Sequence, residues 1–208
     1  MTGTRMNPRN YQKELDGILE ALRKEGRIPR LLLHSCCAPC SSYVLEYLSR
    51  YFQITVLYYN PNIYPPSEYE MRVLEEESLI GRMPFPNPVI FKKGRYVPEE
   101  FYRAVEGLES CPEGGDRCER CYELRLGEAA REAGEGGFDF FTTTLTISPL
   151  KPAWKLNAVG ERVGKEYGVP YLPSDFKKRN GYQRSLELSE EYGLYRQNYC
   201  GCRYSIRT

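Results

Sequence analysis

The chain reads as an α/β protein with a mostly parallel sheet flanked by helices, a three-layer arrangement of the Rossmann-like, nucleotide-hydrolase-like kind. Three observations predict it. Short apolar runs rich in β-branched and aromatic residues alternate with stretches of helical period, in the order β-α-β-α-β-α-α-β-α-β-α. The runs end in turn-forming residues. No repeat, long linker or low-complexity segment interrupts the pattern across 208 residues.

Each element has its own warrant. Over residues 11–24, Tyr11, Leu15, Ile18, Leu19 and Leu22 share one helical face, which predicts an amphipathic opening helix. Leu31-Leu32-Leu33 is a short apolar strand that stops at a cysteine loop, and Val44, Tyr47, Leu48 and Tyr51 resume a helical period from Ser41. Ile54 to Tyr59 is β-branched and aromatic, a buried strand. It runs into the turn-rich Asn60-Pro61-Asn62-Ile63-Tyr64-Pro65-Pro66, after which Ser67 and Glu70 form a capping box for a helix to about Ile80. Val89-Ile90-Phe91 is a third strand, and Pro98-Glu99-Glu100 opens a helix. A polar loop from Glu109 to Arg117 precedes a helix from Cys118 to about Ala133. Phe138–Thr144 is a fourth strand, Trp154–Tyr167 a helix, Val169–Leu172 a short fifth strand, and Tyr182–Tyr192 a last helix. The whole is expected to be one domain, residues 1–208, with residues 1–10 a flexible arm and 195–208 a cysteine-bearing tail.

A chain of this size buries a core without disulfide staples. Its eight cysteines in 208 residues fall well under the ~8–10% density of a secreted disulfide scaffold. The first residues lack the apolar segment of a signal peptide, and no apolar run approaches the roughly 20 residues that span a bilayer. These features predict a soluble, reducing, cytoplasmic setting. The net charge is +1, so attraction to a nucleic acid has to be local. Lys177-Lys178-Arg179 and Arg184, followed by Arg196, Arg203 and Arg207, make the one basic concentration. A solvated face is the plainer reading of it.

Five of the cysteines form two tight groups, Cys36-Cys37-Ala38-Pro39-Cys40 and Cys118-Glu119-Arg120-Cys121, and Cys200-Gly201-Cys202 lies in the tail. Thiolates are soft ligands that suit iron–sulfur clusters and zinc. Cys36 and Cys37 follow the first strand, where open α/β sheets bind ligands. Cys118 and Cys121 stand at a helix start, whose free N–H groups favour negative charge. Cys36, Cys37, Cys118 and Cys121 are thereby placed to converge on one anionic cofactor, for which zinc remains the alternative. Against zinc, its ribbons separate their pairs by roughly 15–20 residues, far fewer than lie between Cys40 and Cys118. Eight thiols also exceed one tetrahedral site.

A disulfide between Cys200 and Cys202 would close a very short loop and reduce easily, which suits a redox pair; metal ligation and two inert thiols are the other readings. Cys40 and Cys111 are the weakest candidates. His34, the only histidine, reads as a structural strand-end residue with a proton-donor role as the alternative. Tyr58, Tyr59 and Tyr64 sit at a strand end where a base could stack. No Walker or dinucleotide glycine fingerprint is present.

Taken together, the blocks His34-Ser35-Cys36-Cys37-Ala38-Pro39-Cys40-Ser41-Ser42-Tyr43, Asn60–Ile63, Arg117–Leu126, Phe141–Leu145, Ser174–Lys178 and Leu194–Cys202 resemble the QueH-type epoxyqueuosine reductases. The resemblance runs from about residue 30 to the C-terminus. It implies a cobalamin-independent oxidoreductase that completes queuosine at the wobble position of tRNA, with a [4Fe–4S] cluster on Cys36, Cys37, Cys118 and Cys121 and an additional adjacent iron. It further implies a redox-active pair Cys200/Cys202, an external electron donor, and an anticodon-loop substrate. The expected tRNA contacts are Lys177, Lys178, Arg179, Arg184 and Tyr59. An iron–sulfur tRNA thiolase of related fold would carry a Ser-Gly-Gly-x-Asp-Ser loop where this chain has Ser35–Cys40, and a zinc-stabilised RNA-binding module would be colourless and redox-silent.

Overall fold

The computed structural model describes residues 9–206. Four strands, β1 (Arg30–His34), β2 (Gln53–Tyr58), β3 (Val89–Lys93) and β4 (Phe140–Thr143), form one parallel sheet in the order β3-β2-β1-β4. The helices are α1 (Tyr11–Glu25), α2 (Ala38–Leu48), α3 (Pro66–Arg82), α4 (Pro98–Ala104), α5 (Asp116–Glu135), α6 (Ala153–Glu166) and α7 (Gly181–Glu191).

The period of two along β1 sorts the layers. Leu31 and Leu33 face one side with Leu15, Leu19, Val44 and Leu48, so α1 and α2 cover that face. Leu32 faces the other side with Leu126, Ala129, Leu156 and Val163 of α5 and α6. Being covered on both faces is why β1 reads as unbroken leucine rather than as an alternation. The expected three-layer α/β architecture is the one observed.

Winding runs from β1 through β2 to β3 in one direction, and β4 then adds on the opposite side of β1. The carboxyl ends of β1 and β4 therefore flank the point where strand order reverses, the usual ligand position in such sheets.

Four local expectations change. The expected fifth strand is a single parallel bridge, Phe141 to Tyr171. Phe141 N–H donates to Pro170 O and Leu172 N–H to Phe141 O, but Pro170 has no N–H with which to extend a ladder. Residues 144–147 leave the fourth strand as a 3-10 turn. The Ser67/Glu70 capping box does not form: Pro66 takes the first helical position, Pro65 precedes it, and Glu70 pairs with Lys93 at 2.8 Å. Finally, α2 begins at Ala38 rather than Ser41, with Cys37 as its N-terminal flank and Pro39 in the first turn. This last shift matters for the site. The first eight residues of the expected arm, together with Arg207 and Thr208, lie outside the described range.

Candidate metal and redox centre

Because α2 starts at Ala38, Cys37 and Cys40 stand one helical turn apart on the same side. The Sγ atoms of Cys36, Cys37 and Cys40 all lie within 4.8 Å of one another. Cys36 Sγ is 3.8 Å from Cys37 Sγ and 3.7 Å from Thr144 Oγ1, which comes from the turn after β4. The triad thus sits at the strand-order switch. Cys40, one of the two weakest sequence candidates, is a full member of it, and the signal lay in the Cys37-x-x-Cys40 spacing once the helix is taken to start at Ala38.

Cys118 and Cys121 occupy the first two turns of α5, outside that 4.8 Å group. Gly114 N–H donates to Cys118 Sγ at 3.2 Å. Arg125, one turn beyond Cys121, is 2% exposed and donates to Cys121 Sγ at 3.9 Å and to Asn60 Oδ1. It also lines a cavity of about 190 Å³ together with Cys36, Cys37, Cys40 and Cys200. Arg125 therefore stands between the two cysteine groups. Cys111 joins neither; its carbonyl accepts from the Arg117 guanidinium.

The tail carries Cys200 into this cavity, while Cys202 is buried with Phe101, Val105 and Cys121. Gly201 between them has φ +109°, in the region that favours glycine, and a Cβ there would lie 3.0 Å from Arg72 Nη1. The tail is fixed to the β2–α3 loop: Tyr64 N–H donates to Gly201 O, and Tyr199 Oη to Tyr64 O, both at 2.8 Å. All eight cysteines are free thiols.

Charge around the thiols is predominantly positive. Arg72, Arg125, Lys151 and Arg196 line the cavity against Glu113 as the one carboxylate. Hydrogen bonds from Cys37 and Cys40 hold the Cys36 thiol well below its ordinary range. Cys37 is pushed up to about 12, first by its hydrogen bond to Cys36, and Cys40 is raised for the same reason. Burial pushes the Cys121 thiol up to about 12. A buried thiol set that ionises once, beside four cationic side chains, requires further positive charge before the other thiols release their protons. A soft metal supplies that charge. The residues present fit a thiolate-bound metal group.

His34 is fully buried. Its Nδ1 lies 2.9 Å from Thr143 Oγ1, which also accepts Leu145 N–H, and its Nε2 lies 3.1 Å from Tyr59 O. Nε2 also faces Arg125 Nε, a donor, at 3.4 Å, so an acceptor and a donor meet at this nitrogen and the Thr143 hydroxyl can serve either neutral tautomer at Nδ1. Burial and then the Arg125 charge push His34 down to about 3, so the ring stays neutral. A neutral, enclosed ring with a partner at each nitrogen fits the structural reading of His34.

Beneath the triad, Glu76 is fully buried with both carboxyl oxygens unpartnered. Burial pushes it up to about 8. Glu76, Arg125, Arg72 and Lys151 were not singled out from sequence. Nothing in a helical Glu or Arg distinguishes a buried position from a solvated one.

The expected RNA-contacting residues lie elsewhere. Lys177 pairs with Asp175 at 2.5 Å, Arg179 with Asp16 at 2.6 Å, and Arg184 with Glu46 at 2.7 Å. Tyr58 and Tyr59 are buried, the Tyr59 hydroxyl donating to Glu100. Tyr64 is 37% exposed, with the Arg203 guanidinium 5.2 Å from its ring centroid. None of these side chains lines the thiol cavity. Its rim is made instead by Tyr182 and Ser185 of α7 and by Arg196–Tyr199.

A doubly wound parallel sheet that gathers thiols and buried cations at its strand-order switch defines an α/β protein whose cysteine triad could hold a metal. Residues 31–208 match the family model for epoxyqueuosine reductase QueH, and the chain belongs to that family. It is 47% identical over 207 residues to the epoxyqueuosine reductase QueH of Streptococcus pyogenes serotype M1, covering 97% of this chain and 81% of that protein. The QueH of Staphylococcus epidermidis is 44% identical over 93% of this chain and 83% of its own length. That of Thermotoga maritima is 36% identical over 85% and 90%. Membership of this family decides against the thiolase and the zinc-module readings.

Proposed function

We propose that this chain is an epoxyqueuosine reductase acting on tRNA in the cytoplasm, converting epoxyqueuosine at the wobble position to queuosine. The observation that carries the reading is the family match across residues 31–208 on a chain whose thiols line a cavity at the strand-order switch. Among the described residues no helix is long and apolar enough to cross a membrane.

Removing an epoxide oxygen to leave an alkene takes two electrons and two protons and releases water. Cys36, Cys37, Cys118 and Cys121 are the proposed ligands of a [4Fe–4S] cluster, which when bound transfers electrons singly. Cys40 is the thiol left over in the triad and the donor at hand for an adjacent iron. Oxidation of the Cys200/Cys202 dithiol to a disulfide releases two electrons and two protons, the count the epoxide requires, and an external reductant resets the pair. Arg125 and Lys151 hold the negative charge of the thiolates, and the buried Leu145 and Ile147 give the cavity an apolar wall.

Lys177, Lys178, Arg179 and Arg184 are proposed phosphate contacts, with three of them exchanging Asp175, Asp16 and Glu46 for phosphate on binding. Tyr59 contributes from behind the site, through its carbonyl 3.1 Å from His34 Nε2. The test is turnover. Anaerobically prepared protein given epoxyqueuosine-bearing tRNA and a reductant is expected to yield queuosine on nucleoside digestion. Unconverted epoxyqueuosine with an iron-loaded protein would contradict the reading.

A further inference from the structure

A second hollow, of about 580 Å³, adjoins the thiol cavity. Pro149, Leu150 and Lys151, in the segment leading to α6, line both. Beyond that divider stands Trp154, the chain's single tryptophan, 60% exposed in the first turn of α6. Leu150 beside it is 68% exposed. Tryptophan is usually well buried, so one that leaves its ring in water next to an active-site wall is available to a partner.

The chemistry of the surroundings says which partner. Arg9, Lys151, Lys177 and Lys178 line the hollow with Asp175; Arg9 is paired with Glu14 and Glu161 and Lys177 with Asp175, which leaves Lys151 and Lys178 as the lining cations without an ion pair among the described residues. Of these, Lys178 is exposed, and Lys155, paired with Glu119 at 3.4 Å, lies 5.6 Å from the Trp154 ring centroid. A flat aromatic face bordered by cations is how proteins hold an unstacked base and its phosphate. An acidic peptide would use the cations but leave the ring unmatched.

We propose that this hollow is a subsite for a nucleotide of single-stranded RNA adjoining the reacting base, with its base stacked on Trp154 and its phosphate held by Lys178. The assignment rests on the reading of tRNA as substrate. It adds a docking position outside the thiol cavity and gives the basic residues at 177 and 178 a stacking partner.

Because Trp154 is the only tryptophan, its emission reports the subsite without ambiguity. The iron-loaded protein is titrated anaerobically with an anticodon stem-loop RNA, following tryptophan emission and, separately, the anisotropy of labelled RNA. Emission should fall along the same isotherm as anisotropy. W154A should bind about tenfold more weakly, about 1.4 kcal/mol, while W154F, which keeps an aromatic face, stays within about threefold of the parent. K178Q should flatten the salt dependence by a slope of about 0.7.

Unchanged emission at RNA saturation, or equal affinity of W154A and parent, overturns the subsite. So does sedimentation showing that the parent self-associates and W154A does not, which would give the patch to a second copy. Turnover of epoxyqueuosine tRNA is measured alongside. A parent that reduces the substrate without any Trp154 effect refutes the subsite alone, and one that neither binds nor reduces tRNA refutes the reductase reading as well.

Discussion

Arg125→Met tests whether a buried cation holds the thiolate site together. The guanidinium is 2% exposed, donates to Cys121 Sγ at 3.9 Å and to Asn60 Oδ1, and faces the cavity that holds Cys36 and Cys200. Two unit charges about 4 Å apart interact by about 4 kcal/mol at an effective dielectric of ~20. Desolvation of the guanidinium offsets part of this. Keeping half gives about 2 kcal/mol lost from the thiolate form, or roughly thirtyfold weaker retention of a thiolate-bound metal. Leaving Asn60 Oδ1 without its donor costs a further ~1–3 kcal/mol of folding stability. For a chain of this size that is roughly 2–12 °C in Tm.

The assay is iron and sulfide content after anaerobic purification, followed by the rate of iron loss to a chelator, with Tm measured on the same samples. Arg125→Lys separates the two effects, because it keeps the charge and loses the planar fork to Asn60. It should recover most of the iron retention but not all of the Tm. If Arg125→Met loses stability yet keeps its iron at the parent rate, the cation does not serve the thiolates and the electrostatic account of the site is wrong.

Other expectations follow from the same geometry. Cys40→Ala should lower iron per chain while leaving sulfide unchanged, since Cys40 is proposed to serve an adjacent iron and not the cluster; equal loss of both would make it a cluster ligand. Glu76 has a folded value raised from 4.5 to about 8, so its contribution to stability is fully present below pH ~4.5 and is lost as pH rises towards 8. Glu76→Gln should therefore raise Tm more at pH 7 than at pH 5, by up to about 3 kcal/mol in stability, and an equal gain at both would show that Glu76 is ionised or partnered. The Cys200→Ser, Cys202→Ser double variant should keep its iron and sulfide but stop turning over; reduction of epoxyqueuosine at the parent rate would leave the pair a structural role only.

Much of this was legible in the sequence because a parallel sheet covered on both faces leaves a strong imprint. Leu31–Leu33 carries no polar residue and Ile54–Tyr58 only the β-branched Thr55, and the amphipathic faces of α1 and α6 follow one period throughout. Both cysteine groups announce themselves by spacing. What was lost depended on one backbone detail or on packing. Starting α2 at Ser41 hid the turn that brings Cys40 beside Cys37. Pro170 turned an apparent strand into a single bridge. The basic run at 177–184 looked free in one dimension, whereas the fold places Asp16, Glu46 and Asp175 against three of its four charges. Trp154 gave no signal in sequence, because only the fold shows that the divider between the two cavities leaves it in water.

The proposed function stands on an iron–sulfur centre held by the cysteines at the strand-order switch. Anaerobic purification followed by a visible spectrum, with iron and acid-labile sulfide measured on the same sample, tests it most directly. A brown protein whose absorbance bleaches on reduction is expected, with iron in excess of sulfide and the excess lost in Cys40→Ala. A colourless protein carrying zinc and no sulfide would contradict it.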